Sequence, residues 1–318
     1  MGSGSATEMA ALISAATGLS LGHRTYYMTM HRQHLQRAAT FFLPVKRRAQ
    51  ATSRCGSGNS AAKALNDVIG GEVWEASFLL SAFVLLNPSL FSPGQRVLEL
   101  GTGVGLPSLL LLELRRRRKR REGEDIQAPG ELTLTDNDSV VLESLHISAV
   151  EEGGVEDSCK EKKGEDGDVA LSVRYFDWLE PANIDPSLHD LVIGSALVYS
   201  PEHAVALSNT VSHLLLSPTS TVRGIIVIQI GDRPGFERLQ RLLSSVSGVS
   251  FTAHAVSEEV YDLAQQSMVH TSAVSSSDVS FFRHKNVTFR PRALEGAGVH
   301  KVISTPRESF TILTITKD

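Results

Sequence analysis

The chain has little cysteine, no long hydrophobic run and no excess of either charge. Cys55 and Cys159 are its two cysteines, far apart and set in polar, Gly- or Lys-rich surroundings. That excludes a disulfide framework, and no His/Cys cluster has the spacing of a metal site. The most apolar stretch, "FLLSAFVLLNPSLF" from Phe78 to Phe91, is broken by Asn87 and Pro88 and is too short to span a bilayer. Lysine plus arginine number 31 against 35 aspartates and glutamates, a formal net charge of -4 and a pI near 6.3. No global field therefore argues for nucleic acid or a membrane as the main partner. What remains is a 318-residue chain, 42% hydrophobic, long enough to bury one substantial core.

Acids are also scarce at the start, where Glu8 is the only one in the first sixty residues. This Ala-, Ser-, Thr- and Arg-rich segment closes with "VKRRAQATSRCGSGNS" and reads as a flexible basic extension over 1–60, with a composition that also suits a transit peptide. A domain then fills 61–318. It opens with "GGEVWEASFLLSAFVLL", a helix too densely apolar to be a surface stripe. Expected strands follow at "RVLEL", "ELTLTD", "LSVRYFDW", "DLVIGSALV", "GIIVIQI", "VSFTAHAV" and "SFTILTIT", most of them separated by helical stretches such as "LPSLLLLELRRR" and "SPEHAVALSNTVSHLL". This alternation predicts an α/β fold with a mainly parallel sheet and crossover helices. Low-complexity stretches near 151–168 and 265–305 read as surface loops.

In such a sheet, ligands bind beyond the carboxyl ends of the strands. There the sequence places "LELGTGVGLPS": Glu99, then Gly101, Gly103 and Gly105, then a helix with Pro107 in its first turn. The glycines let backbone amides approach a ligand, and the helix adds the positive end of its dipole. A dinucleotide fingerprint, G-x-G-x-x-G, does not fit, because the third glycine comes one residue early and Leu106 follows it. An acid before the turn would repel a pyrophosphate and welcome a cationic ligand. S-adenosylmethionine has an ammonium and a sulfonium at one end and a ribose diol in the middle. Asp136, ending "LTLTD", is placed to accept hydrogen bonds from both ribose hydroxyls, and Asp177, ending "VRYFD", to meet the adenine amine.

The ordered stretches "GGEVWEASFLLSAFVL", "RVLELGTGVGLPSLLLL", "LTLTDNDSVVLESL", "VRYFDW" and "DLVIGSALVYSPEHAVAL" resemble the seven-β-strand protein-lysine methyltransferases over about residues 68 to 258. The resemblance implies a class I methyltransferase fold, a Rossmann-like doubly wound sheet of seven strands with the last antiparallel. It implies S-adenosyl-L-methionine as cofactor and a lysine side chain of a protein, a chaperone or translation factor among the candidates, as methyl acceptor. It implies that Trp74 packs near the cofactor, that Glu99, Gly101 and Gly103 line its methionine end, and that Asp136 holds the ribose. Asp177 and Trp178 would border the adenine, with Ser195 completing the cofactor set and Tyr199 as the catalytic residue, an aromatic wall at the acceptor mouth. A monomer in the cytoplasm or nucleus is the accompanying expectation.

The chain also departs from that pattern. Relatives carry Asp-x-x-Tyr after the fourth strand, where this chain has Ala196, Leu197, Val198 and Tyr199, and the helix after the second strand ends "LHISAVEEGG" without the usual asparagines. The missing acid motivates two alternatives: a catalytically weakened cofactor-binding or interaction protein, or a methyltransferase acting on arginine or a small amine. "RRRRKRR", Arg115 to Arg121, reads as a solvated helix end, favoured by the dipole, rather than an import signal or nucleic-acid patch. His203 in "SPEHAVAL" reads as a partly exposed histidine at a helix start.

Overall fold

The computed structural model describes residues 24–30, 39–45, 70, 73–120, 128–143, 145–146, 170–231, 233–265, 268–271, 299–301 and 303–318. In chain order the elements are β1 (Arg24–Met30), β2 (Ala39–Val45), α1 (Glu75–Leu86), β3 (Arg96–Leu100) and α2 (Leu106–Arg120). They continue with β4 (Glu131–Asp136), β5 (Ala170–Tyr175), β6 (Leu191–Ser195), α3 (Pro201–Leu216), β7 (Gly224–Ile230) and α4 (Phe236–Ser245). The last are β8 (Val249–Ala255), α5 (Glu258–Gln265), β9 (Met268–Thr271), β10 (Val299–Lys301) and β11 (Phe310–Lys317). Residues 139–143, after β4, are also helical.

Seven strands form one sheet in the order β5-β4-β3-β6-β7-β11-β8. The pairs from β5 to β7 are parallel, whereas β11 runs antiparallel to both neighbours. This is the class I methyltransferase arrangement expected from the resemblance. The central strands are buried on both faces, so they read as continuous apolar runs rather than alternating ones. Val97, Ile193, Ile226 and Ile228 enter one core with α1, α2 and α5. Leu98, Leu100, Val192 and Val227 enter the other with α3 and α4. From β3 the order runs through β4 to β5 on one side and through β6 to β7 on the other, so the reversal of order falls beside the glycine turn. A ligand crevice belongs at that point.

A second sheet, β10-β9-β1-β2, is antiparallel throughout. It corrects part of the expectation for the flanking segments: two strands lie inside 1–60 and two inside 265–305. "RTYYMTM" and "ATFFLPV" carry aromatics and threonines that favour extended pairing. Their arginine- and serine-rich surroundings hid them. The expected 151–168 loop lies outside the described residues.

The basic run continues α2 as expected, but its first member is not simply solvated. Arg115 donates through Nη1 to the carbonyls of Pro129 (2.7 Å) and Gly130 (3.0 Å), tying the helix to the turn that enters β4.

Candidate active site

The crevice is a cavity of about 490 Å³ at the carboxyl ends of β3, β4 and β6. Gly101 and Gly103 form its floor, with φ of 54° and 55°, a left-handed backbone that glycine adopts without strain. A side chain there would also collide. A Cβ on Gly101 would lie 3.0 Å from Leu197 and 3.1 Å from Trp178, and one on Gly103 would lie 3.2 Å from the Gly70 carbonyl oxygen. Bare backbone is therefore required at both positions.

Asp136 ends β4 on the cavity wall. One carboxylate oxygen accepts the Gly103 amide at 3.0 Å and the other the Asp138 amide at 3.1 Å. A carboxylate has about four acceptor sites, so each oxygen keeps capacity for a ligand hydroxyl. Burial pushes its pKa up, against the opposing hydrogen bonds from Gly103 and Asp138. Asp138 in turn accepts the Val140 amide at 2.8 Å and starts the next helix. Asp177 and Trp178 border the other end, just past β5, and the Asp177 carboxylate is oriented by the Leu179 amide at 2.9 Å.

On the α1 and β6 side of the cavity, Trp74 precedes α1 and is 38% exposed, with the Arg233 guanidinium 4.9 Å above its ring. Ser77 on the first turn of α1 shares a 2.9 Å hydrogen bond with Ser195 at the end of β6. Ala196 follows with φ 53°, the only non-glycine residue with positive φ among the described residues. Its amide donates to the Ile228 carbonyl at 2.9 Å, which fixes the turn that presents Tyr199. Burial raises the Tyr199 pKa, Asp136 adding to the effect and Arg233 opposing it, so the phenol stays protonated.

The expected residues Trp74, Gly101, Gly103, Asp136, Asp177, Trp178, Ser195 and Tyr199 all line this one cavity. Glu99 does not. It is 1% exposed and receives a short hydrogen bond from the Ser108 hydroxyl of α2. The reason is strand alternation: Glu99 shares the face of Val97, under α1 and α2, and its carbonyl alone serves the turn by accepting the Thr102 and Thr135 hydroxyls. Burial pushes its pKa up to about 8, the Ser108 hydrogen bonds opposing and Asp136 adding to the rise. Lining residues that the sequence reading passed over include Ser77, Asn137, Asp138 and Glu202, and His203 lies there too. Ser200-Pro201-Glu202 is itself a helix-start signature that places His203 in the first turn, where the Ser200 hydroxyl accepts its amide at 3.3 Å.

A model of a family described as lysine methyltransferase matches residues 60–233, more than half of the chain. The chain belongs to the lysine methyltransferase family. Its cofactor is S-adenosylmethionine, and this lysine methyltransferase family member has the features that molecule requires: a glycine floor that a Cβ would fill, a carboxylate at mid-cavity and an acid at the far end. Among curated proteins none matches the chain. Among solved structures it is similar to an O-methyltransferase from Bacillus cereus in complex with SAH, at 11% identity and a TM-score of 0.40, over 79% of this chain and 85% of that one. An rRNA methylase from Streptococcus thermophilus is 9% identical, with a TM-score of 0.38, over 76% and 94%. The ribosomal protein L11 methylase from Lactobacillus delbrueckii subsp. bulgaricus is 12% identical, with a TM-score of 0.36, over 75% and 77%. The fold assignment rests on the strand order, not on these similarities.

Proposed function

We infer that this methyltransferase acts on the side-chain amine of lysine in a protein substrate. The observation that carries the reading is the charge of the cavity. Asp136, Asp138, Asp177 and Glu202 line it, and no lysine or arginine does among the described residues. Such a cavity attracts a cationic side chain and repels a phosphate-bearing acceptor. Asp136 and Asp177 are assigned to the cofactor's parts, which leaves Glu202, on the first turn of α3, for the acceptor side. Membership of the lysine methyltransferase family supports the same acceptor.

Bound S-adenosylmethionine supplies an electrophilic methyl group on a cationic sulfur. The protein's contribution is alignment, which is worth up to ~7–11 kcal/mol when two reactants are held in attack geometry. The Gly101–Gly103 floor and Asp136 fix one partner. Trp74, Tyr199 and the Ser77–Ser195 pair shape the entrance for the other. Tyr199 offers an aromatic face to the cation that forms on nitrogen, a contact worth ~0.5–2 kcal/mol.

The test is incubation of the purified chain with tritiated S-adenosylmethionine and a cell extract, followed by mass spectrometry of labelled bands. Methyl-lysine in a discrete protein band is the expected result. Label in RNA, in arginine or in a small molecule would replace the lysine reading.

A further inference from the structure

The acceptor side contains a histidine that the fold alone does not account for. His203 lines the cavity from the first turn of α3, its ring centroid 4.0 Å from that of Tyr199 at 62° and 6.3 Å from that of Trp178 at 84°. Its Nδ1 is buried and has no hydrogen-bond partner. A buried polar group left unmet costs roughly 1–3 kcal/mol; Nδ1 is closed to an incoming ligand, so the ring meets the cavity through Nε2, which is not among the buried unpartnered atoms. His189 has the only other such side-chain atom among the described residues, and it lies at the opposite end of the sheet, just before β6.

The ring is also kept in its free-base form. Burial lowers the His203 pKa, and Glu202, the one charged neighbour that acts on it, opposes the shift. The positive end of α3 acts in the same direction as burial. Of the other groups around the pair, Asp136 and Arg233 act on Tyr199 with opposite signs, and Arg238 acts on Glu202. At neutral pH a base without a proton thus stands beside the aromatic wall, while Ala196 offers no acid.

We propose that His203 is the amine-side acceptor of this enzyme, taking a hydrogen bond from the incoming lysine and the proton that its ammonium must lose before the nitrogen can attack. An N–H bond of the ammonium breaks and the proton bonds to Nε2, the sealed Nδ1 keeping its own hydrogen, which leaves a free amine and an imidazolium. The transfer requires the ammonium, ordinarily with a pKa of ~10.4, to be made more acidic by loss of water and by the sulfonium charge beside it. The imidazolium then gives its proton to water and the imidazole is restored. The proposal rests on the lysine reading above. It explains how a chain without an acid at position 196 retains an acceptor, supplied by α3 instead of the turn after β6.

The test uses full-length protein with 15N-labelled histidine and saturating S-adenosylhomocysteine, titrated with Nα-acetyl-lysine methylamide. His203→Phe, which keeps a ring against Tyr199, identifies the His203 signal by its loss, and His203→Gln serves if that variant is unstable. The expected result is a signal of neutral imidazole at pH 7, titrating below the ordinary histidine range and moving as the amine is added. In turnover, either variant lowers kcat roughly 10²-fold, leaves S-adenosylhomocysteine affinity within a factor of two or so, and removes the acidic limb of the pH profile. An imidazole signal indifferent to the amine, or a variant with the wild-type rate and pH profile, overturns the proposal. If mass spectrometry finds methyl-lysine while the imidazole is indifferent, this inference fails alone. If the methylated group is not lysine, the acceptor reading fails and this one with it.

Discussion

The Gly103 amide donates a 3.0 Å hydrogen bond to the Asp136 carboxylate, joining the glycine turn after β3 to the end of β4. Two features that look independent in the sequence, a run of glycines and an acid thirty-three residues later, are one structure: the acid holds the loop in shape and the loop keeps the acid aimed at the cavity.

Replacing Asp136 by alanine therefore removes charge-assisted bonds to the cofactor and loosens the turn together. The expected loss of affinity for S-adenosylmethionine is about tenfold or more, read by calorimetry. Asp136→Asn, which can still accept the Gly103 amide, should lose less. Unchanged affinity in a folded alanine variant would remove Asp136 from the cofactor site.

Glu99 predicts an unusual pH dependence of stability. Its carboxyl is held up at about 8 in the folded protein against 4.5 as the ordinary value, so the folded chain binds the extra proton. A group with a raised folded pKa contributes stability that is present at low pH and lost as pH rises, here across 4.5 to 8, at up to ~1.4 kcal/mol per pH unit. His189 runs the other way, since burial lowers it to about 4 and its stability deficit is confined to acid conditions. Between about pH 6.5 and 8 the Glu99 slope should stand nearly alone. Denaturant midpoints should fall over that interval in the wild type and stay flat in Glu99→Gln; parallel curves would refute the assignment.

Arg96 and Asp190 make a structural test far from the chemistry. Asp190 accepts the Arg96 amide at 2.9 Å, its Nε at 3.1 Å and its Nη2 at 2.8 Å, while Nη1 reaches the Ser187 carbonyl at 2.8 Å. These bonds clamp the start of β3 to the turn that enters β6. Asp190→Ala leaves a half-buried guanidinium and an amide without their acceptor, for a loss of about 1–3 kcal/mol in urea unfolding. Cofactor affinity should be unchanged once the variant is folded, because the clamp lies at the opposite end of the sheet from the cavity.

Much of this was legible in the sequence, and the exceptions have physical causes. The seven main strands are short segments rich in β-branched and apolar residues bounded by turns, continuous in the centre of the sheet and mixed with polar residues toward its edges. Eight of the nine expected site residues converge on one cavity because each sits at or just beyond an element end on the same side of the sheet. Glu99 was misplaced because a central strand covered on both faces gives no alternation by which to tell them apart. Only the company of Val97, which meets α1 and α2, settles its direction. β1 and β2 escaped because compositional bias outweighed two short aromatic segments. His203 was under-read because a histidine in a first helical turn carries no signal of its own; its role depends on Tyr199, four residues earlier, folding back over its ring.

The last prediction concerns Ala196, where the resemblance to the protein-lysine methyltransferases leads one to expect an acid. Its φ of 53° is a conformation that costs an alanine roughly 1–2 kcal/mol and that aspartate and glycine accept more readily. Ala196→Gly should thus be neutral to slightly stabilising, which makes it the control for backbone strain. Ala196→Asp should fold as well, since the turn suits it and the residue borders the cavity rather than the sealed core. If His203 already takes the amine's proton, a second acceptor is redundant and a further carboxylate in a cavity already lined by Asp136, Asp138, Asp177 and Glu202 raises the cost of ionisation. Methyl transfer to lysine should then change by less than tenfold in Ala196→Asp, with cofactor affinity unaltered. In the double variant Ala196→Asp/His203→Phe, the new acid should recover part of the rate lost with the imidazole. A wild type without activity that gains it from Ala196→Asp alone would point the other way, to a protein that retained its cofactor site and lost its catalytic acceptor.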